Sequence, residues 1–290
     1  MKIYNLGSLN IDYVYSVEHI ATPKETITSS DMQKFAGGKG LNQSVALARA
    51  GAQVIHGGII GHDGKFLKDV LQGEKVDVSK IKILDKPTGH AIIQVDYKGQ
   101  NSILLYPGTN YCIDYDYVLD FLNNANEGDI LLLQNEISAL KDIFEIANEK
   151  KMQIAFNPSP CTPSLKDLPL QYVKWWFCNE VESKELFDSC DEKVIEQNFL
   201  SKYPNSNLIL TLGEQGSVFI NKDVVIKQAA YKTNVVDTTA AGDTFTGYFL
   251  SAISRNKTIE YAMDIASKAA CVTVSRKGAS PSIPYLNKLL

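Results

Sequence analysis

The chain has 290 residues, 44% hydrophobic and 21% charged, a globular composition that excludes disordered and fibrous classes and suffices for one large core. A net charge of −4 without any Lys/Arg-rich run argues against nucleic acid as a partner. The opening MKIYNLGSLN turns polar early, and apolar runs such as 130–133 are far too short to span a bilayer, so a cytoplasmic protein with no membrane partner is expected.

Residues 2–6 predict a first strand, ending at Gly7-Ser8. Leu41, Val45 and Ala48 recur at helical spacing over 40–50 and stop at Gly51. A strand over 53–60 and a helix over 63–71 follow, then a strand over 129–133, a helix over 139–150 and a strand over 153–156. A strand over 173–178 leads into a charged helix from Glu180. After a strand over 207–212, residues 217–220 and 224–227 flank Asn221-Lys222-Asp223 as a hairpin. Helices are expected over 242–254, with Phe245, Tyr248, Phe249 and Ala252 on one face, and over 259–274. Strands alternating with helices imply a parallel sheet covered on both faces. Two β-rich stretches, 27–35 and 90–106, have no helix between their runs and fit a small antiparallel sheet beside the main one.

The five cysteines (Cys112, Cys161, Cys178, Cys190 and Cys271) are odd in number and contain no C-x-x-C, so neither a disulfide framework nor a zinc site is suggested. The four histidines are scattered and are assigned no metal.

Three segments carry chemistry. Val235 to Phe245 places small residues before an amphipathic helix, whose free N–H groups and dipole suit a phosphate. A carboxylate at Asp243 would repel that phosphate unless it serves as a base toward an attacking hydroxyl; the plainer alternative is a first-turn acid favoured by the dipole. Gly37-Gly38-Lys39-Gly40-Leu41-Asn42-Gln43 opens another helix and is neither a Walker A loop nor a dinucleotide fingerprint. It marks backbone approaching a polar ligand, or a simple glycine turn. Asn10 and Asp12 come after the first strand, where ligands of open α/β sheets bind, although an Asx-type turn would use the same residues. Glu136, Asn179 and residues 211–216 come after later strands in the same way.

Together these motifs resemble the ribokinase family of carbohydrate kinases over residues 2–284, on the glycine motif at 37–42 and Asp-Thr-Thr-Ala-Ala-Gly-Asp at 237–243, in the family's order and separation. The resemblance implies an α/β ribokinase-like three-layer sandwich with a mostly parallel central sheet and a small β-sheet lid. It implies one domain over 1–290, with lid segments near 13–35 and 88–107. It implies a sugar site of Asn10, Asp12, Gly38, Lys39, Gly40, Asn42 and Glu136, with Asp243 as general base. Ala240, Ala241, Gly242 and Asp243 would form an anion hole, and Asn179, Thr211, Gly213, Gly216, Gly242 and Ser267 would face ATP. Asn179-Glu180-Val181-Glu182 matches the family's N-x-x-E element, with Glu182 acting on Mg²⁺ through water. Asp237, Thr239 and Ser282, with carbonyls of Thr273, Arg276 and Gly278, would hold a monovalent cation, K⁺. Tyr248 departs from the family's usual Gly or Ala, on the helix behind the site.

The implied activity is ATP-dependent phosphorylation of a sugar hydroxyl, D-ribose to ribose 5-phosphate. Another sugar or a nucleoside, or a non-catalytic sugar-binding sensor, stays open. Lys98 is the one Lys or Arg in the lid stretch 90–106, which argues mildly against sugar phosphates, and His90 is expected to face the sugar. The lid's edges and apolar face suggest a homodimer through it.

Overall fold

A computed structural model describes residues 1–289; Leu290, the end of the expected 1–290 domain, lies outside the described residues. The run Ile3–Leu6 (β1) is buried along its whole length, as a strand covered on both faces must be. The chain leaves it for an antiparallel pair, β2 (Asn10–Ser16) and β3 (Asp31–Gly37). It returns through α1 (Lys39–Arg49) to β4 (Val54–Gly61), parallel to β1, and through α2 (Lys65–Gly73) to β5 (Asp77–Leu84). A second excursion makes β6 (Gly89–Val95) and β7 (Asn101–Tyr106). Then come α3 (Tyr115–Phe121), β8 (Ile130–Gln134), α4 (Leu140–Glu149), β9 (Gln153–Asn157) and β10 (Val173–Asn179). The rest is α5 (Glu180–Phe187), α6 (Glu192–Lys202), β11 (Asn207–Thr211), β12 (Ser217–Ile220), β13 (Val225–Gln228), α7 (Ala241–Ser254) and α8 (Ile259–Val274).

The main sheet runs β13-β12-β11-β10-β9-β8-β1-β4-β5, parallel from β11 to β5, with β12 and β13 antiparallel. Its two faces carry separate cores. Ile3, Leu41, Val45, Phe245, Phe249 and Ala266 pack under α1, α2, α7 and α8. Tyr4, Leu6, Phe121, Phe144, Trp176 and Phe199 pack under α3 to α6. The three-layer α/β sandwich with a mostly parallel sheet is thus the observed fold. The two excursions form a second sheet, β3-β2-β6-β7. It is not purely antiparallel as expected: β2 and β6, which belong to different excursions, pair parallel.

Several boundaries differ from the sequence reading for local reasons. The helix expected from Asp63 starts at Lys65, because Asp63 sits in a short 3-10 turn and accepts from the Thr88 N–H and hydroxyl. The charged helix from Glu180 is two helices, broken where Asp188 adopts a left-handed conformation (φ 56°). Residues 27–30 lie outside β3. The buried Tyr248 donates its hydroxyl to the Pro284 carbonyl, tying α7 to the C-terminal segment.

Two close approaches fix where α1 and α7 sit. A Cβ on Gly40 would stand 2.5 Å from the Gly7 carbonyl carbon and the Ser8 nitrogen, so the start of α1 lies directly against the end of β1. A Cβ on Gly247 would meet Ala46 Cβ at 2.4 Å, so α7 crosses α1 at equally short range. No side chain fits at either crossing.

Candidate active site

The end of β1, the start of α1, the segment after β8 and the start of α7 converge on one cleft. Ser8 donates its hydroxyl to Glu136 Oε2 and its carbonyl accepts from the Leu41 N–H at 3.1 Å. Lys39 Nζ lies 2.9 Å from Glu136 Oε1, and the Lys39 N–H reaches Oε2 at 3.3 Å. Burial alone would lower the Lys39 ammonium; the Glu136 and Asp243 carboxylates outweigh it and hold it above its ordinary value. Asn10 accepts from Asn110 Nδ2 at 2.7 Å, and Asn110 accepts from the Leu9 N–H at 3.0 Å. Asp12 lies across Gly37, where a Cβ would stand 2.0 Å from its Oδ2. Burial, then Glu136, pushes the Asp12 carboxyl up to about 6 against the pull of Lys39. A cavity of about 180 Å³ opens beside these groups, lined by Asn10, Leu105, Pro107, Asn110, Asn135 and Glu136.

Asp243 occupies the third position of α7, facing α1. Its Oδ2 accepts from Asn42 Nδ2 at 3.1 Å and its Oδ1 from Gln43 Nε2 at 2.9 Å. Burial pushes this carboxyl up to about 6, although Lys39 and both amides favour its ionised form and Glu136 opposes it. A carboxyl poised near 6 and still mostly ionised at neutral pH is suited to accept a proton. Asn42 is 6% exposed and its Oδ1 has no hydrogen-bond partner among the described residues. A buried orphaned acceptor beside this carboxyl calls for a ligand donor such as a hydroxyl.

The start of α7 supplies free donors. No side chain caps it, and Ala240 holds a left-handed conformation (φ 61°). The Ala241 N–H is taken by the Thr238 carbonyl at 3.2 Å, which removes it from the anion hole expected over 240–243. Gly242 and Asp243 belong to the first turn, where N–H groups have no intrahelical acceptor. A Cβ on Gly242 would meet nothing within 4 Å among the described residues, so the side-chain face of Gly242 is open.

Asn179 and Glu182 form a capping box at the start of α5: Asn179 Oδ1 accepts from the Glu182 N–H at 2.9 Å, and Glu182 Oε2 from the Asn179 N–H at 2.8 Å. The Nδ2 of Asn179 takes no part in the box and remains for a ligand. The Glu182 charge acts on Lys39, which ties this element to the same cleft. Thr211 ends β11 with its hydroxyl donating to the Cys178 carbonyl at 3.4 Å; Gly213 and Gly216 lie in the next turn, both at positive φ. Ser267 is a buried residue of α8.

Beneath the α7 start, Asp237 joins two loops. Its Oδ1 accepts from the Thr239 N–H and hydroxyl at 2.9 and 2.6 Å, and its Oδ2 accepts from the Gly278 N–H at 2.9 Å. These hydrogen bonds hold its carboxyl below the usual range despite partial burial. The Ser282 hydroxyl donates to the Ala279 carbonyl at 2.7 Å, and Arg276 donates to the Ser282 carbonyl. Thr273 directs its hydroxyl to Thr244 at 3.0 Å, so only its carbonyl could serve a cation.

His90 is not where the sequence reading put it. It pairs in register with Ile11 and Tyr106 and packs edge-on to Tyr13, on the face opposite Asn10 and Asp12. Alternation along β6 gives the ligand face to Gly89 and Ala91 instead. Asn110 and Asn135 at the cavity, and Gln134 one step behind it, were not singled out from sequence, and Gln43 was quoted in the glycine motif without a role of its own. A polar residue closing an otherwise apolar strand, as Gln134 closes 130–133, is the one signal the chain offered.

The profile of the pfkB family carbohydrate kinases matches residues 2–286. Ribokinase of Staphylococcus aureus (strain COL) is 35% identical over 300 residues, covering 99% of this chain and 98% of that one. The crystal structure of Cryptococcus neoformans var. grubii serotype A ribokinase in complex with ADP superposes with a TM-score of 0.87 at 32% identity, covering 99% and 98%. The structure of Arabidopsis thaliana ribokinase complexed with ribose and ATP gives 0.88 at 29% identity, covering 99% and 97%.

The raised carboxyl of Asp243 has a consequence for stability. Between its ordinary value of 3.8 and about 6 the folded chain holds a proton that the unfolded chain has released, so stability falls as pH rises through that window. Asp243→Asn is therefore expected to melt at nearly the wild-type temperature at pH 4 and above it at pH 7. Melting curves across this range check it; a difference independent of pH would contradict the assigned environment.

Proposed function

The chain belongs to the pfkB family of carbohydrate kinases, and on that premise we propose that it phosphorylates D-ribose with ATP, giving ribose 5-phosphate and ADP. The observation that carries the mechanism is the Asp243 carboxylate, held by two amides at an uncapped helix start, beside the orphaned Asn42 Oδ1. Asp243 takes the proton of the ribose 5-hydroxyl as its oxygen attacks the γ-phosphorus of ATP. The N–H groups of Gly242 and Asp243 receive the charge on the transferring phosphoryl group. Asn10, Asp12, Lys39, Asn42 and Glu136 hold the sugar hydroxyls, with Gly38 and Gly40 giving the backbone room. Asn179, residues 211–216 and Ser267 face the nucleotide. ATP is the phosphoryl donor, in keeping with the relatives named for ADP and ATP complexes.

Two ions complete this reading. Glu182, with one oxygen committed to its capping box, would hold Mg²⁺ through water, and the ion would supply charge neutralisation on the phosphates. Among the described residues no three His, Cys, Asp or Glu side chains form a metal cluster. A lone carboxylate at Asp237 with the Thr239 and Ser282 hydroxyls and the carbonyls of Thr273, Arg276 and Gly278 suits a monovalent ion, K⁺. Those residues would fix the loop leading into Gly242 and Asp243.

The second sheet acts as the lid of a single kinase domain, with segments near 13–35 and 88–107. Its β7 is exposed throughout, with Ile103, Leu104, Leu105 and Tyr106 in one run. An apolar edge strand of this kind is covered by a second copy of the chain, lid to lid. No helix among the described residues is long and apolar enough to cross a membrane, and five free cysteines suit a reducing cytoplasm.

ADP release over a panel of pentoses, hexoses and nucleosides is expected to be fastest with ribose, and faster in K⁺ than in Na⁺ at equal ionic strength. Glu136→Ala is expected to lower kcat/KM for ribose by about 10- to 100-fold with KM for ATP unchanged, the size of a lost buried hydrogen bond. Turnover with another sugar or a nucleoside alone would overturn the substrate, and equal rates in both salts the cation site. Sedimentation is expected to give a dimer at assay concentration that Leu104→Glu dissociates; a wild-type monomer would remove the lid interface.

A further inference from the structure

Behind Asp243 runs a line of buried polar side chains that phosphoryl transfer does not itself consume. Asn5, Gln43, Ser44, His56 and Gln134 are all fully buried, on the adjacent central strands β8, β1 and β4 and on α1. Gln43 Nε2 donates to Asp243 Oδ1, and Gln43 Oε1 accepts from Gln134 Nε2 at 2.6 Å. Gln134 Nε2 also donates to Asn5 Oδ1 at 3.0 Å, and Asn5 Nδ2 donates to the Gly40 carbonyl and to Ser44 Oγ, each at 2.8 Å. Ser44 in turn lies 2.7 Å from His56 Nδ1, and burial holds that imidazole neutral, pushed down to about 3.

The line has one possible polarity. A backbone carbonyl can only accept, so Asn5 must turn its Nδ2 to Gly40 and its Oδ1 the other way. That Oδ1 can only accept, so Gln134 must present Nε2 to it, and the second hydrogen of Nε2 goes to Gln43 Oε1. Gln43 is thereby left with its Nε2 facing Asp243. Released from Gln134, the same amide could turn over and set its oxygen against the carboxylate. A buried carboxylate that loses a donor, or gains an opposing oxygen, binds its proton more tightly.

We propose that Gln43 and Gln134 are positioning residues for phosphoryl transfer: anchored on the Gly40 carbonyl, they keep an N–H on Asp243 Oδ1, and so set the carboxylate's orientation and proton affinity. Gln134 touches neither substrate nor base and acts only through Gln43. The charged groups facing Asp243 are Lys39 on α1 and Glu136 after β8, and both remain in the variants that test the proposal. The proposal rests on Asp243 being the base.

The test is the pH dependence of kcat/KM for ribose at saturating ATP, for wild type, Gln43→Met, Gln134→Met and the double variant. Methionine keeps length and removes the hydrogen bonds. The acid limb of Gln43→Met is expected about one pH unit higher, the size of a lost hydrogen bond to a charged group. Gln134→Met should move it in the same direction by less, and the double variant should match Gln43→Met alone, because the outer residue has no other route to the base. On the plateau, kcat should fall with KM for ribose within about twofold. Additive shifts, or slower and less stable variants with unmoved limbs, would overturn the proposal. Should Gln134→Met not fold, Gln43→Met decides by itself: a raised limb supports the proposal and an unmoved one overturns it. Wild-type turnover is measured first; its absence would overturn the reading of Asp243 and this proposal together, whereas normal turnover with unmoved limbs overturns the proposal alone.

Discussion

The contact of the α1 start with the end of β1 is the constraint on which the rest of the site depends. Because no side chain stands between Gly7 and Gly40, the first turn of α1 sits at the carboxyl edge of the central strands. Ser8, Lys39, Asn42 and Gln43 are thereby gathered within reach of Glu136 and Asp243. The short crossing at Gly247 then brings α7 in at the height that lets its third residue meet two amides of α1. Two elements nearly two hundred residues apart are held in register by close backbone approach.

That geometry concentrates charge. Asp12, Glu136 and Asp243 crowd around a single ammonium, and two of the three carboxyls are pushed up to about 6 by burial. Such an arrangement is poor for stability and good for chemistry at neutral pH, a common trade at active sites. The amides of Asn42 and Gln43 reconcile the two demands. They stabilise the ionised Asp243 carboxylate without neutralising it, and they leave the unpartnered Asn42 Oδ1 for a ligand. At the start of α5 the same economy recurs: Asn179 and Glu182 each commit one oxygen to the cap and keep their other polar atoms free of it.

Much of this was legible before any coordinates. The apolar runs within β8, β10 and β11 and the short β-rich run of β1 announced buried strands, and the alternation of strands with amphipathic helices announced the layers. The glycine and Asp-Thr-Thr-Ala-Ala-Gly-Asp motifs located both helix starts to within a residue or two. β5 escaped because its edge position leaves most of its residues partly exposed, and α3 because it is short and its signal is chiefly the Asp114 cap. His90 was misplaced because a strand inverts its faces with every residue, and only the observed register decides which one looks inward. Gln134 and Asn110 were invisible for a different reason. Their roles come from partners about 90 to 130 residues away, which no local pattern records.

Every step of the proposed chemistry requires Asp243 to accept the proton. The most direct measurement is kcat of Asp243→Asn beside its dissociation constant for ribose. Asparagine preserves the shape and can still accept from Gln43 Nε2, but cannot take the proton. A fall of ~10²–10⁴ in kcat with ribose binding little changed is predicted. A variant that keeps more than about a tenth of wild-type kcat would contradict the central claim.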